Sequence, residues 1–416
     1  MKETKGITLV ALIITIIVML ILAGFTGTIV INSDVITKAK QAKTETANSV
    51  AGDQNTVDYF KNKIRETDED YGDSTIAVTG VYPILYDNGE LAFNTTNQES
   101  LTGTRTSVVK KYGDISNIRW TASLPCLWYD DGNYSQITSV TFEDRVAPTY
   151  TAFWFYNCSN LTTFNNMKNL KTVNVDDMTY MFSGCSSLTS LNLSYFDTRN
   201  VRFMPYMFHQ CSALTSLDVT SFDTSKVTNM RGMFYGCTGL SNLDLSNFDT
   251  GRVTFMDSMF LGCSGLTSID VSSFNTNSVT KMTGMFYECT NLTSLDISSF
   301  NTSNVTDTGR MFYNCNRLSN LDLTNFNTKK ITTVSFFNTR DSTYTGMFHN
   351  CTNLSAEITI SGNVTEYENM FLNAATAAGA QITVNYTDTT QSLVDAMILE
   401  KSASSNIVKG TLKVVE

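Results

Sequence analysis

The chain has 416 residues, a formal net charge of −10 and only 16% charged residues. An acidic chain without a basic patch is a poor partner for nucleic acid, so we expect no nucleic-acid binding. Its two histidines, His209 and His349, leave little material for histidine-based catalysis or metal binding, and we predict no cofactor and no metal.

The chain begins with a short charged leader that precedes a long apolar run. Residues 7–31 carry no charge, and about 20 apolar residues suffice to span a bilayer as a helix. We therefore predict a leader at residues 1–6 and a transmembrane helix at residues 7–31. A secretory signal peptide, with cleavage near Ala23-Gly24, is one alternative. A plain signal-anchor helix is another.

The leader, MKETKG at residues 1–6 followed by ITL at residues 7–9, resembles the prepilin-type leader of type IV pilins and pseudopilins. The resemblance implies that a membrane prepilin peptidase cuts after Gly6 and methylates Ile7. It also implies a single-pass membrane protein whose later domains lie outside the cell. Pilins carry a glutamate at the fifth mature position that helps subunits assemble into a fibre, and here that position is Ala11.

The next two segments connect the membrane to the repeats. Residues 32–73 contain no proline and repeat apolar residues at multiples of seven, which predicts a helical stalk that ends in an acidic linker. Residues 74–152 predict a β-rich N-terminal cap, with strands at 75–78, 82–86, 91–93 and 137–142. A turn at residues 87–90 makes the second and third of these strands a hairpin. A solenoid needs such an atypical terminal unit to cover the end of its apolar column.

We predict a solenoid at residues 153–354, in which one unit recurs with a period of 26 residues from about residue 181 to residue 320. Residues 227–237 place apolar side chains three and four apart, as on one face of a short helix. Residues 240–245 read Leu-x-x-Leu-x-Leu, whose last pair has the spacing of a strand. We predict an α/β repeat solenoid of leucine-rich-repeat-like coils, each a parallel strand plus a short helix. The cysteines that mark the period are Cys185, Cys211, Cys237, Cys263, Cys289 and Cys315.

These cysteines share the inward register of the leucines and phenylalanines, so we predict buried free thiols that act as small apolar side chains. The uneven count of nine does not favour a disulfide framework. We predict that changing Cys237 to aspartate markedly lowers the melting temperature, whereas a change to alanine lowers it modestly.

The Met-Phe-x-x-Cys-x-x-Leu-x-x-Leu core, with FWFYNCSNL at residues 153–161 and VTFED at residues 140–144, resembles the BspA-like leucine-rich-repeat surface proteins of bacteria. The resemblance covers residue 81 to the C-terminus and implies a cell-surface protein that adheres or binds partners, without known catalysis. Two departures are the replacement of methionine by Thr308 and Val334, and an insertion at residues 337–345.

Two outward columns form the candidate binding face. On the strand side, an acidic column lies between the inward leucines and suits a basic or hydroxyl-rich partner, or weakly bound calcium. Its members are Asp218, Asp244, Asp270, Asp296 and Asp322. An aromatic column follows each Met-Phe pair and suits protein or glycan contact; it includes Tyr235, Tyr287 and Tyr313. The alternatives are a solvated strand face and aromatic side chains that pack adjacent coils.

After residue 354 the period decays into a C-terminal cap at residues 355–416, with a strand at 381–386, a helix at 390–401 and a strand at 412–415. The sequence shows no wall-sorting signal or second span, so the N-terminal helix is the expected anchor. We predict a membrane-anchored cell-surface repeat protein that mediates adhesion, or binds an extracellular protein or glycan, through its solenoid. The alternative is a pilin-like subunit that displays the solenoid on a fibre. No catalytic motif is present, so we expect no enzyme.

Overall fold

The computed structural model describes residues 80–121, 126–339 and 342–414. The predicted leader, transmembrane helix and stalk, and the predicted strand at 75–78, lie outside these residues. Across the described part of the chain, no helix is long and apolar enough to cross a bilayer.

The N-terminal end is built on the predicted hairpin. Strand β1 (Tyr82–Tyr86) pairs antiparallel with β2 (Glu90–Asn94), and β3 (Val108–Lys111) pairs antiparallel with the other edge of β1. A short helix, α1 (Leu127–Asp130), and a 3₁₀ helix at Asn133–Gln136 then follow.

The same sheet then changes from antiparallel to parallel pairing. Strand β4 (Ser139–Phe142) runs parallel to β2, and β5 (Thr163–Asn165) runs parallel to β4. A 3₁₀ helix at Met167–Asn169 follows. The ring of Phe93 stacks at 5.2 Å from that of Trp154, so the core of this sheet continues into the first coil. The sheet is therefore the base on which the repeats stack.

Each central coil is a series of turns, and the predicted short helix at residues 227–237 is wrong. Two residues per coil adopt left-handed backbone, such as Tyr206 and Gln210, both at φ 58°. In the next coil these are Gly232 at φ 57° and Gly236 at φ 73°. A right-handed helix cannot continue through left-handed residues, so the spacing of three and four arises from successive turns instead.

Backbone hydrogen bonds at this segment alternate between bonds within a coil and bonds to the next coil. Phe208 N donates to Met233 O of the next coil at 2.9 Å, and Cys211 N donates to Phe208 O at 3.1 Å. Parallel bridges join successive coils one residue before each turn series, as at Asn229 and Phe255. The turns therefore satisfy their own polar groups and also hold the coils in register.

The predicted continuous parallel sheet on the leucine side is wrong for the central coils. Three-residue strands form there at β5 and at β6 (Asn320–Asp322), near the two ends of the solenoid, and the described residues between them carry none on that side. Ser246 N donates to Asp244 Oδ1 at 3.0 Å, and Thr324 N makes the same bond to Asp322 of β6, so this side-chain bond forms with or without a strand. Leu243 and Leu245 are nevertheless buried, as predicted.

The core of the solenoid consists of columns of equivalent side chains. Successive phenylalanine rings stack nearly parallel, with centroids 5.5–6.0 Å apart. They are Phe182, Phe208, Phe234, Phe260, Phe286, Phe312, Phe348 and Phe371. Burial of each such ring stabilises the fold by roughly 1.5–3 kcal/mol, so the columns hold the coils together without metals or disulfides.

The insertion forms an antiparallel hairpin of β7 (Ser335–Asn338) and β8 (Thr343–Gly346). Beyond it, β9 (Ser355–Ile360) and β10 (Ile382–Tyr386) extend β6 into a parallel sheet. A helix and one further strand follow β10 along the chain.

Helix α2 (Gln391–Leu399) leads to β11 (Ile407–Leu412), which runs parallel to β10 at the edge of the sheet. The strand at β10 and the helix at α2 confirm the sequence-based predictions. The last strand ends at Leu412, so the predicted strand at 412–415 was placed too late.

Candidate ligand-binding surface

The cysteine column belongs to the core and not to a reactive site. All nine cysteines are free and buried, and burial raises the pKa of Cys237 to about 12. The thiol of Cys237 also donates to Phe208 O of the preceding coil at 3.0 Å. Six further cysteines make the same contact at 2.9–3.2 Å. The sequence indicated the inward position but not this hydrogen bond.

The acidic column is exposed to solvent along the leucine side. Asp270 Oδ1 accepts hydrogen bonds from Ser272 N at 2.9 Å and from Ser272 Oγ at 2.6 Å. These bonds hold the pKa of Asp270 below its usual value. Asp296 and Asp322 have lowered pKa values for the same kind of reason, hydrogen bonds from Ser298 and Thr324. Asp270, Asp296 and Asp322 are thus ionised at neutral pH, and each shapes a turn in its coil.

The geometry of the acidic column does not create a metal centre. Within residues 80–121, 126–339 and 342–414, no group of three or more His, Cys, Asp or Glu side chains is placed to hold a metal ion. What the column presents is one outward carboxylate per coil, repeated at the spacing of the coils.

The aromatic column is half-buried and packs between coils. The Tyr287 and Tyr313 rings stack at 4.6 Å, and the His209 and Tyr235 rings meet edge-on at 4.6 Å. Leu261 interrupts the column between these two pairs. The side chains therefore pack against neighbouring coils and leave part of each surface exposed.

Beside the aromatic column, the residue at one register becomes small in three successive coils. The left-handed position three residues before the column holds Phe153, Tyr180 and Tyr206 in the first coils, and these rings stack at 5.0 and 4.7 Å. The next three coils place small residues there, Gly232, Ser258 and Gly284. A Cβ on Gly284 would meet its nearest atoms at ordinary van der Waals distances of 3.6 Å or more, whereas a Cβ on Gly232 would overlap the Tyr206 ring.

The result is an outer groove of about 810 Å³ over these three coils, a volume typical of small-molecule sites. One wall is Tyr235, Leu261 and Tyr287 of the aromatic column. Across the groove lies Phe255, whose side chain is 39% exposed. We call this feature the outer groove. Its signal in the sequence is the change from aromatic to small residues at one register of the repeat, from which we predicted no groove.

An arginine that stacks on an aromatic ring closes each end of the outer groove. Arg231 lies over the Tyr206 ring at 5.8 Å, and Arg310 lies over the Phe336 ring at 3.9 Å. Phe336 belongs to the β7–β8 hairpin, so the insertion builds one end of the groove. Such stacking holds the planar guanidinium groups in place at the two ends of the groove.

Asp257 lines the outer groove and is only 5% exposed. Its Oδ2 lies 2.5 Å from Arg231 Nε, and its buried Oδ1 has no hydrogen-bond partner among the described residues. Burial raises the pKa of this carboxyl above its usual value, although Arg231 opposes the shift. A buried oxygen without a hydrogen-bond partner lowers the stability of the fold. A hydrogen-bond donor from a ligand that reached this carboxylate would offset part of that loss.

The predicted site residues therefore fall into three places. Gly6 and Ile7 lie outside the described residues. The acidic column occupies the leucine side, whereas Tyr235 and Tyr287 lie on the opposite side, in the wall of the outer groove. Tyr313 continues the aromatic column next to that wall.

Two families match parts of this chain. Residues 150–264 and 240–345 match the family described as "Mycoplasma protein of unknown function, DUF285". Residues 324–393 match "BspA type Leucine rich repeat region (6 copies)". No curated protein and no solved structure matches the chain. Together, the two family matches support a BspA-like repeat protein.

Proposed function

We propose that this BspA-like repeat protein is a membrane-anchored protein of the bacterial cell surface, whose solenoid binds an extracellular protein or glycan. The family match supports a surface repeat protein. The outer groove carries the binding part of the proposal, because it combines concave shape, exposed aromatic surface and ionised groups in one place. The acidic column is a second surface open to a basic or hydroxyl-rich partner.

The anchor in this proposal is the uncharged run at residues 7–31, with the prepilin peptidase as the enzyme that cuts after Gly6. The repeats then lie outside the cell on a single membrane span. We propose no catalytic role, since the cysteines are buried and their thiolate forms are suppressed.

A combined glycan and protein array, probed with the full chain in detergent micelles, tests the binding function. We expect binding to a restricted set of ligands. A variant with asparagine at all five positions of the acidic column then shows which surface is used. Unchanged binding would remove the acidic column from consideration, and an array without any specific ligand would contradict the binding function itself.

A second candidate function is a pilin-like subunit that displays the solenoid on a surface fibre. The leader with Gly6 and Ile7 favours it, whereas Ala11 in place of the pilin glutamate speaks against assembly. Cell fractionation after inactivation of the prepilin peptidase discriminates between the two. Loss of a fibre-associated pool would favour the subunit, and an unchanged membrane pool would favour the anchored protein.

A further inference from the structure

The charges that line the outer groove balance one another. Three cationic side chains, Arg231, Lys281 and Arg310, face three anionic ones, Asp257, Glu288 and Asp307. A site of mixed and balanced charge creates no strong field of one sign, so it does not select a polyanion or a polycation. It does offer many hydrogen-bond donors and acceptors at close quarters.

The backbone of the groove is already paired and cannot bind an extended peptide as an added strand. Ser258 N donates to Thr283 O at 2.8 Å, and Gly284 N donates to Gly309 O at 2.8 Å. Along the neighbouring turn, Gly262 N donates to Tyr287 O at 2.7 Å. Recognition by strand addition needs unpaired main-chain groups, so side chains must supply the contacts to a ligand.

Aromatic and ionised groups alternate around the groove. The exposed ring of Phe255 and the half-buried rings of Tyr235 and Tyr287 supply apolar faces. Between them, Asp257 carries an oxygen without a hydrogen-bond partner among the described residues. A sugar ring has C–H groups on its faces and hydroxyl groups around its edge. Its faces suit the aromatic rings, and each hydroxyl can donate to a carboxylate and accept from a guanidinium.

We propose that the outer groove, between the stacked Arg231 and Arg310, binds a short neutral oligosaccharide. This inference rests on the proposed binding function and assigns it a site and a ligand class. The small side chain of Ser258 and the lack of one at Gly284 create the space for the sugar rings, and the acidic column, which does not line the groove, plays no part in the contact.

The chain itself supplies a variant that fills the groove. Ser258 has φ 58°, the same as Tyr206 at the equivalent position two coils earlier. The Tyr206 ring covers Gly232, because a Cβ on that glycine would overlap it. Ser258→Tyr should therefore place a ring over Gly284 and extend the aromatic packing of Tyr180 and Tyr206 into the groove. Ser298→Tyr, on the exposed leucine side, is the matched control.

The full chain in detergent micelles is titrated with neutral trisaccharides of glucose, mannose and N-acetylglucosamine, and calorimetry measures their binding. We expect at least one to bind, Ser258→Tyr to weaken it by at least about tenfold, and Ser298→Tyr to leave it unchanged. Phe255→Ala, at a partly exposed ring outside the core, should weaken it by about tenfold as well. Circular dichroism and the melting temperature establish that each variant is folded.

Other outcomes would overturn the inference in distinguishable ways. Sugar binding that ignores both Ser258→Tyr and Phe255→Ala would leave the binding function intact but remove the groove as its site. Binding of peptides alone, sensitive to Ser258→Tyr, would keep the groove and refute the ligand class. No binding to the trisaccharides or on the combined array would refute both the inference and the proposed function.

Discussion

At the residue scale, each repeat cysteine combines two properties: it is buried in the core, and its thiol donates a hydrogen bond to the preceding coil. Cys237 is fully buried, as its register predicted, and its thiol also donates to the Phe208 carbonyl of the preceding coil. The spacing of the cysteines revealed the first property. The second depends on how far one coil is displaced from the next, and periodicity carries no such information.

Cys237→Asp should abolish stable folding or lower stability by more than about 3 kcal/mol, because it buries an unpaired charge. Cys237→Ala should cost about 1–2 kcal/mol, through a small cavity and the lost thiol hydrogen bond. Thermal and urea unfolding measure both. An aspartate variant as stable as the wild type would refute the inward position of the cysteine.

A second residue-scale prediction concerns an ion cluster in the N-terminal cap. Arg105 pairs with Glu90 at 2.7 Å and also with Glu143. The hydrogen bond from Arg105 is the main reason that the pKa of Glu90 falls to about 2, against burial, which raises it. An unfolded chain therefore takes up a proton at Glu90 before the folded chain does.

Stability from this pair should be fully present above about pH 4.5 and should decrease as the pH falls towards 2. Urea unfolding as a function of pH measures it, with Glu90→Gln as the comparison. The variant should be less stable near neutral pH and should lose less stability than the wild type across that window. Equal losses in the two proteins would show that Glu90 does not drive the acid response.

At the element scale, part of the coil could be predicted from the sequence. The inward residues and the period followed from apolar spacing, and the cap hairpin followed from the turn at residues 87–90. The helix did not form, because spacing of three and four suits successive turns as well as a helix. A discriminating signal was present before some of the cysteines, where Gly184, Gly236 and Asn314 adopt left-handed backbone.

A buried column of threonines was also not predicted from the sequence. Thr250 Oγ1 donates to Asn275 O at 3.0 Å and accepts from Asn275 N at 2.7 Å. Thr224 and Thr276 make the same donation to their next coils at 2.9 and 3.0 Å. These hydroxyls join successive coils at the return turn.

Because each coil contacts only its neighbours, deletion of one whole period should be tolerated. Removal of residues 229–254 joins Thr228 to Phe255 and keeps every column in register. Removal of residues 229–241, half a period, turns inward positions outward. We expect cooperative thermal unfolding for the first deletion and no cooperative transition for the second. Cooperative unfolding with similar melting temperatures in both would contradict the column packing.

At the scale of the whole molecule, repetition produced the fold class from sequence, because one period fixes every column at once. The outer groove was not predicted from the sequence, because it arises where the repeat departs from its pattern. Its walls are regular residues such as Tyr235 and Tyr287, but its space comes from Ser258 and Gly284, and one end comes from the β7–β8 hairpin.

The proposed anchor, binding surface and ligand class all require that the repeats lie outside the cell. Lys226, Lys281 and Lys330 are exposed on the solenoid and report its location. Intact cells should be treated with a membrane-impermeant amine-reactive biotin, and the labelled peptides identified by mass spectrometry beside a cytoplasmic marker protein. We expect label on these lysines in intact cells while the marker stays unlabelled. Label that reaches the three lysines only after lysis would contradict it.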